Sequence, residues 1–242
     1  AVETAEKADI VLLVLGDNEQ TCREGWSADH LGDRDSLDLV GRQEDLLRAV
    51  VATGKPVILL LNNGRPASIN FAAEHIPAIL EGWYLGEAGG HAVAEVLFGE
   101  TNPGGKLPIT FPRSVGQIPA YYYHKPSARR GYLFTDASPL FPFGHGLSYT
   151  TFTYTDLRLD RASISPDETA ILTVDVTNTG DRAGDEVVQM YVRDVLSNFV
   201  TRPVKLLKGF ERITLQPGET LTVRFTIGRE QLQYLDEHMQ MT

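Results

Sequence analysis

The chain has 242 residues, of which 42% are hydrophobic, 22% charged and 9% aromatic, and this composition excludes a disordered, collagenous or disulfide-rich protein. Its formal net charge is -10 and its basic residues form no long block, which argues against a nucleic-acid partner because phosphate binding needs a concentrated basic surface. The longest apolar runs, 10–15 and 57–61, are far shorter than the roughly 20 residues that cross a bilayer, so we expect no membrane span.

The first part of the chain alternates short apolar segments with amphipathic ones, which is typical of an α/β domain with a largely parallel sheet. The pattern predicts strands and helices in turn, with strands over 10–15, 57–62 and 79–83 and helices over 42–53 and 89–98. In open α/β sheets ligands bind beyond the carboxyl ends of the strands. We therefore expect functional side chains in the loops that follow Leu15, Asn62 and Trp83.

The second part of the chain is different in character. Residues 101–147 are rich in proline, glycine and aromatic side chains, which predicts an extended connector without long helices. Beyond it, apolar and polar residues alternate in segments separated by turn sequences, over 152–159, 170–177, 186–193, 205–210 and 219–227. This alternation favours an antiparallel β-sandwich of the immunoglobulin type.

These patterns predict three regions. They are an α/β sandwich domain over 1–113, an extended aromatic connector over 114–150 and an all-β sandwich over 151–242. We expect the first to be incomplete at its N-terminal end and the last at its C-terminal end. The first residues show neither an initiator methionine nor a signal-peptide pattern, so we expect this to be the inside of a longer or processed chain.

Few cofactor or nucleophile signatures occur. The histidines show no pair at metal-ligand spacing, and neither a phosphate-binding loop nor a nucleophile elbow is found, so we expect neither a metal nor a cofactor. Cys22 is the only cysteine, which leaves the redox compartment open. We interpret it as a structural residue, with a nucleophile assisted by His30 as the alternative.

The segment 16–34 after the first predicted strand carries five acidic residues together with Trp26 and His30. A partly desolvated carboxylic acid can donate a proton, and an indole face stacks on a sugar ring, so this combination suits carbohydrate chemistry. A solvated acidic loop explains the same composition. From the residues alone both interpretations stay open.

A series of motifs, taken in order, resembles glycoside hydrolase family 3. They are EG at 24–25, GDRDSLDLVGRQ at 32–43, KPVILLLNNGRP at 55–66 and WYLGEAGG at 83–90. Further on, NPGGKLP at 102–108 and FPFGHGLSYTTF at 141–152 resemble the family's joint between its α/β sandwich and a fibronectin type III-like domain. RPVKLLKGFE at 202–211 extends the similarity, which among members is closest to bacterial periplasmic β-glucosidases.

The resemblance implies the C-terminal part of a retaining, exo-acting β-glycosidase, most closely a β-glucosidase that removes terminal glucose from β-linked oligosaccharides. In this family an aspartate nucleophile on an N-terminal (β/α) barrel acts with an acid/base carboxyl on a loop of the α/β sandwich. That loop aligns with Glu24. Because more residues than usual separate Glu24 from the Asp33-Arg34 pair, Glu19 and Asp29 are rival proton donors.

Other implications concern substrate and partners. Trp26 is expected to line the leaving-group subsite, or else to cover its own loop. Arg129 and Tyr132 are expected to form a lip over the aglycone side, or else to contact a neighbouring domain. The sugar that is removed stays open between glucose, xylose and N-acetylglucosamine.

The expected partner is the barrel of the same enzyme, without which this chain is expected to be inactive, and a homodimer is a further possibility. The contrasting hypothesis is a non-catalytic carbohydrate-binding or docking module. The resemblance favours a periplasmic or secreted enzyme, with a cytoplasmic one as the alternative.

Overall fold

The computed structural model describes residues 1–22, 34–126, 133–195 and 200–242, which form two compact units. The first, here called the α/β unit, consists mainly of Ala1–Gly90 and Ile109–Ala120 with a segment that ends at Phe143. The second, the β unit, consists mainly of His91–Pro108 and Gly144–Thr242. None of the described helices has the length and apolar character needed to traverse a bilayer.

The α/β unit contains a parallel sheet in the order β1-β2-β3, formed by β1 (Val11–Gly16), β2 (Val57–Asn62) and β3 (Ala78–Glu81). The predicted parallel sheet is thereby confirmed. Helices in the described part of the chain before residue 100 are α1 (Val2–Glu6), α2 (Glu19–Cys22), α3 (Gln43–Val51), α4 (Asn70–His75) and α5 (Gly89–Phe98).

The core of the α/β unit forms where α3 packs on the sheet. Leu47 and Val50 of α3 are 0% and 2% exposed, and Leu59 and Leu61 of β2 are 0% and 1% exposed, all within one apolar cluster. Burying an aliphatic side chain of this size contributes roughly 1.5–3 kcal/mol. Gln43 begins the same stripe, because residues four and seven positions apart share a helix face.

The β unit contains two antiparallel sheets, β4-β5-β8 and β6-β7. Valine, isoleucine and leucine side chains from both sheets form one core, with Val176 at 0% and Leu215 at 1% exposed. The predicted all-β sandwich is confirmed. Its elements are β4 (Phe152–Leu159), β5 (Ala170–Asn178), β6 (Gly184–Val192), β7 (Leu206–Leu215), β8 (Thr220–Ile227) and α6 (Arg229–Leu232).

Residues before β4 join the β unit through a buried ion pair. The Lys106 ammonium lies 3.0 Å from a Glu186 carboxylate oxygen, and their side chains are 16% and 9% exposed. Leu107 N donates to His145 O at 2.8 Å, and a side chain at Gly146 would collide with the Gly105 carbonyl. Gly105 and Gly146, in the motifs at 102–108 and 141–152, therefore serve close backbone contact.

Asn178 at the end of β5 is a buried polar residue with every hydrogen-bonding group satisfied. Its side chain is 0% exposed. Its Oδ1 accepts from Thr150 Oγ1 at 2.6 Å and from Gly180 N at 3.1 Å, and its Nδ2 donates to Arg182 O at 2.8 Å and to Leu215 O at 3.0 Å. One amide therefore joins β5, β7 and the turn between β5 and β6.

We expect Asn178→Ala to lower the free energy of unfolding by about 2–4 kcal/mol, because it strands buried polar groups and leaves a cavity. Urea denaturation followed by circular dichroism measures the loss. Gln216→Ala, at an exposed position before the turn that precedes β8, is the control and should change stability by less than about 0.5 kcal/mol. Equal effects of the two substitutions would contradict the structural role of Asn178.

Candidate active site at the carboxyl edge of the parallel sheet

The carboxyl ends of the three parallel strands meet at one edge of the α/β unit. Gly16 pairs with Asn62, and Leu61 pairs with Glu81, so the last residues of β1, β2 and β3 lie side by side. The loops that follow bring Asp17 and Tyr84 to the same edge, where a hydrogen bond joins them. This is the edge at which the strand pattern predicts functional side chains.

Gly16 lies directly against the backbone of β2. Its φ of 148° is in a region that glycine adopts freely and other residues avoid, and a Cβ at this position would collide with the carbonyl oxygen of Asn62. The next residue continues the contact, since Asp17 N donates to Asn62 O at 3.1 Å. The acidic segment therefore starts from a fixed point on the sheet.

The Asp17 carboxylate connects three loops. Its Oδ1 accepts hydrogen bonds from Gly64 N and from the Tyr84 hydroxyl, each at 2.9 Å. Because the Tyr84 proton is used in that bond, the Cys22 thiol is the donor in its 3.0 Å contact with the Tyr84 oxygen. A Cβ at Gly64 would lie 2.7 Å from the Tyr84 ring, so this position needs glycine for the ring to approach.

The Tyr84 hydroxyl is held in its protonated form. Desolvation, and then its hydrogen bonds with Cys22 and Asp17, raise the pKa of Tyr84 above its usual range. Cys22 is buried and bonded, which is the environment of a structural cysteine. The candidate base for a Cys22 nucleophile, His30, lies outside the described residues.

Glu81 and Asn63 place two unpartnered oxygens beneath this edge. Glu81 Oε1 accepts from Trp83 N at 3.0 Å, whereas Glu81 Oε2 and Asn63 Oδ1 are buried and have no hydrogen-bond partner. The Asn63 side chain is 1% exposed, and its Nδ2 donates to Arg65 O at 2.6 Å. Two buried acceptors without a donor are costly unless one of them carries a proton.

Glu81 is the group that can carry that proton. Burial raises the pKa of Glu81 to about 7, opposed by the Trp83 N–H and the Asn63 side chain and reinforced by the negative charge of Asp17. A protonated Oε2 is a donor rather than an acceptor, and Asn63 is its polar neighbour. Near neutral pH this carboxyl exchanges between its charged and neutral forms.

The structure leaves most of the predicted site residues untested. The rival proton donor Glu19 begins α2 and is exposed. The other predicted residues fall within 23–33 and 127–132 and so lie outside the described residues, namely Glu24, Trp26, Asp29, Arg129 and Tyr132. Within the described ranges, no cluster of three or more histidine, cysteine, aspartate or glutamate side chains is arranged to hold a metal ion.

Sequence reasoning missed Gln43, Asn63 and Glu81. A signal was available for Glu81, because a carboxylate at the end of an otherwise apolar strand is unusual and suggests a perturbed pKa. Asn63 directly follows a buried strand, where an amide also needs an explanation. Gln43 was recognised only as part of a family motif, and nothing local indicates its contact with Gly16.

Comparison with known proteins gives two family matches. Residues 1–149 match the family described as the glycosyl hydrolase family 3 C-terminal domain, and residues 186–242 match the fibronectin type III-like domain. A β-xylosidase from Formosa agariphila is 53% identical over 243 residues, with 99% of this chain and 33% of the relative covered. A periplasmic β-glucosidase from Salmonella typhimurium is 46% identical over 250 residues, with 99% of this chain and 32% of the relative covered.

Solved structures give the same result. A β-glucosidase from Erythrobacter marinus superimposes with a TM-score of 0.95 at 48% identity, covering 100% of this chain and 32% of that protein. A β-glucosidase from Listeria innocua, solved in complex with glucose, superimposes with a TM-score of 0.90 at 34% identity, covering 100% of this chain and 34% of that protein. The chain therefore spans about a third of the length of the proteins it matches.

We expect Glu81→Gln to stabilise the chain at alkaline pH. A carboxyl whose pKa rises on folding contributes stability that is lost as pH rises through its folded pKa, and glutamine removes that dependence. Folding raises the pKa of Glu81 from 4.5 to about 7. The variant should therefore exceed the wild type by about 2–3 kcal/mol in free energy of unfolding near pH 8.5.

Chemical denaturation at about pH 4.5 and about pH 8.5, on either side of the folded pKa, measures this difference. The stability advantage that the variant has at about pH 8.5 should disappear at about pH 4.5, because Glu81 is then protonated in the folded wild type. Glu87→Gln, at an exposed position, is the matched control and should show no pH-dependent gain. A gain of the same size for Glu81→Gln at both pH values would contradict the assignment.

Proposed function

Because this chain belongs to glycosyl hydrolase family 3, we propose that it is the C-terminal part of a retaining, exo-acting β-glycosidase. The observation that carries the proposal is its end-to-end match, over 99% of its length, to proteins named β-xylosidase and β-glucosidase. The matched region is about a third of each relative, which leaves room for a further domain. The nucleophile belongs to that domain, an N-terminal (β/α) barrel.

In the proposed mechanism Glu24 is the acid/base residue. It protonates the glycosidic oxygen as the bond to the sugar breaks, and it later deprotonates the water that releases the sugar from the nucleophile. Such assistance contributes about 10² to 10⁴ in rate, and retention needs the two carboxyl groups roughly 5 Å apart. The anchoring of residues 16–22 at the carboxyl edge of the sheet supports this assignment, since a proton donor needs a rigid structural support. Glu19 and Asp29 are the rivals.

The proposed substrate is a β-linked oligosaccharide with glucose at its non-reducing end. The 46% identity to a periplasmic β-glucosidase supports glucose, while the 53% identity to a β-xylosidase makes xylose the competing sugar. Trp26 lines the leaving-group side, and Arg129 and Tyr132 form a lip over the aglycone. Parallel assays of the complete enzyme with β-glucosides and β-xylosides decide between the two sugars.

The proposal extends to organisation and location. The proposed division is 1–113, 114–150 and 151–242. The fibronectin type III-like match over 186–242 supports the last region, and the family 3 match over 1–149 covers the first two together. The barrel of the same polypeptide is the principal partner, and a homodimer is the secondary one. A periplasmic location is supported by the Salmonella relative, and fractionation of cells that express the complete protein tests it.

We expect Glu24→Gln in the complete polypeptide to slow the hydrolysis of alkyl β-glycosides by about 10²-fold or more. Dinitrophenyl β-glycosides should be affected far less in kcat/KM, because their leaving group departs without a proton. Steady-state kinetics on both substrates measures the difference. Glu19→Gln and Asp29→Asn are the matched controls and should show no such selectivity. Selectivity in either of them, or equal losses in Glu24→Gln, would move the role elsewhere.

The non-catalytic alternative predicts a different outcome. If this chain were a carbohydrate-binding module, it would bind oligosaccharides alone, and mixing it with a separately produced barrel would give no activity. The proposal predicts that neither half hydrolyses glycosides and that the mixture does. Calorimetric titration of the isolated chain with oligosaccharides provides the complementary measurement.

A further inference from the structure

The side chain of Gln43 holds both polar groups of one backbone residue. Its Oε1 accepts a hydrogen bond from Gly16 N at 2.7 Å, and its Nε2 donates to Gly16 O at 2.6 Å. Gly16 is the last residue of β1, and β2 is the strand that pairs with β1 in the sheet. The Gln43 amide therefore completes the hydrogen bonding of β1 at the point where the acidic segment begins.

The core fixes the position of Gln43. It is the first residue of α3, and Leu47 and Val50 follow it on the same helix face. The Leu47 and Val50 side chains are 0% and 2% exposed, so α3 cannot shift without disrupting the core. The amide is thus carried by a packed helix rather than by a mobile loop.

Gly16 is also held from its other side. Its Cα lies so close to β2 that a Cβ would collide with the Asn62 carbonyl, and Asp17 N donates to that same oxygen at 3.1 Å. The Gly16 peptide is therefore clamped between the backbone of β2 and the Gln43 amide. Loss of either contact removes one of the two constraints on this peptide.

Further hydrogen bonds hold the chain in place from Asn18 to Cys22. Asn18 Oδ1 accepts from Gln20 N at 2.9 Å and from Thr21 N at 3.1 Å, and Cys22 N donates to Asn18 O at 3.0 Å. Asp17 and Cys22 both bond to the Tyr84 hydroxyl. Residues 16–22 form one hydrogen-bonded stem, and Glu24 follows it two positions later in the sequence.

We infer that Gln43 is a positioning residue for the acid/base carboxyl, because its clamp on Gly16 fixes the stem that leads to Glu24. The inference rests on the proposed function and deepens it. Gln43 need not touch the substrate. Misplacement of a reacting group by about 1 Å can cost about 10²-fold in rate, and the step that suffers is proton transfer to the leaving group.

The test uses the complete polypeptide and measures kcat/KM on a dinitrophenyl and an alkyl β-glycoside of whichever sugar the wild type hydrolyses faster. Gln43→Met keeps the chain length and removes the amide, whereas Gln43→Asn keeps the amide but is one methylene too short. We expect Gln43→Met to lose about 10-fold or more on the alkyl glycoside and less than about threefold on the dinitrophenyl glycoside. Gln43→Asn should lose in the same direction.

The controls separate this inference from the proposed function. Gln216→Met, at an exposed turn of the β unit, should change neither substrate, and Glu24→Gln provides the reference for full loss of proton donation. The ratio of the two kcat/KM values does not depend on the active fraction, so partial unfolding cannot imitate selectivity. If Glu24→Gln is selective and both Gln43 variants are not, the positioning role is wrong. If Glu24→Gln is not selective either, the assignment of Glu24 as the acid/base residue is wrong as well.

Discussion

The in-register pairing of three parallel strands is the constraint from which the candidate site follows. Parallel strands bring their carboxyl ends to one edge, and here the pairing of Gly16 with Asn62 and of Leu61 with Glu81 aligns these ends closely. The close approach at Gly16 is possible because that residue has no side chain. The contacts of Asp17 with Gly64 and Tyr84, which join the loops after the three strands, depend on this alignment.

Two carboxyl groups at this edge have different environments and therefore different roles. Asp17 accepts hydrogen bonds from a backbone amide and from a tyrosine hydroxyl, and it ties the loops after β1, β2 and β3 together. Glu81 has one oxygen bonded and the other buried without a partner, so its charge is tolerated poorly. The first group is a structural anchor, whereas the second is a buried carboxyl whose pKa is raised to about 7.

The fold was predictable where the pattern is local. The apolar run of β2 and the stripe of α5 have the predicted bounds, Val57–Asn62 and Gly89–Phe98. Short helices such as α2 and α4 were missed because four to six residues give too few turns for a helical period. β3 ends at Glu81 rather than at residue 83, since Trp83 adopts a φ of 51° that leaves the extended region.

The sequence predicts that the strand ends meet at one edge, but not the contacts made there. The rule that ligands gather at the carboxyl ends of parallel strands points to this edge without any knowledge of contacts, and its role as the site stays a prediction. The contact between Gln43 and Gly16 spans 27 residues, and no periodicity or propensity encodes such a pairing. The raised pKa of Glu81 depends on burial, which emerges when β3 packs beside β2.

The ion pair between Lys106 and Glu186 bears on how family resemblance is interpreted. Removing either partner would leave the other without its counter-charge in a largely desolvated place, which costs more than replacing both together. These two positions should therefore covary among homologues. Lys106 belongs to the motif at 102–108, so the presence of that motif indicates that the β unit is assembled correctly. A homologue that has lost its hydrolytic activity would still retain the motif.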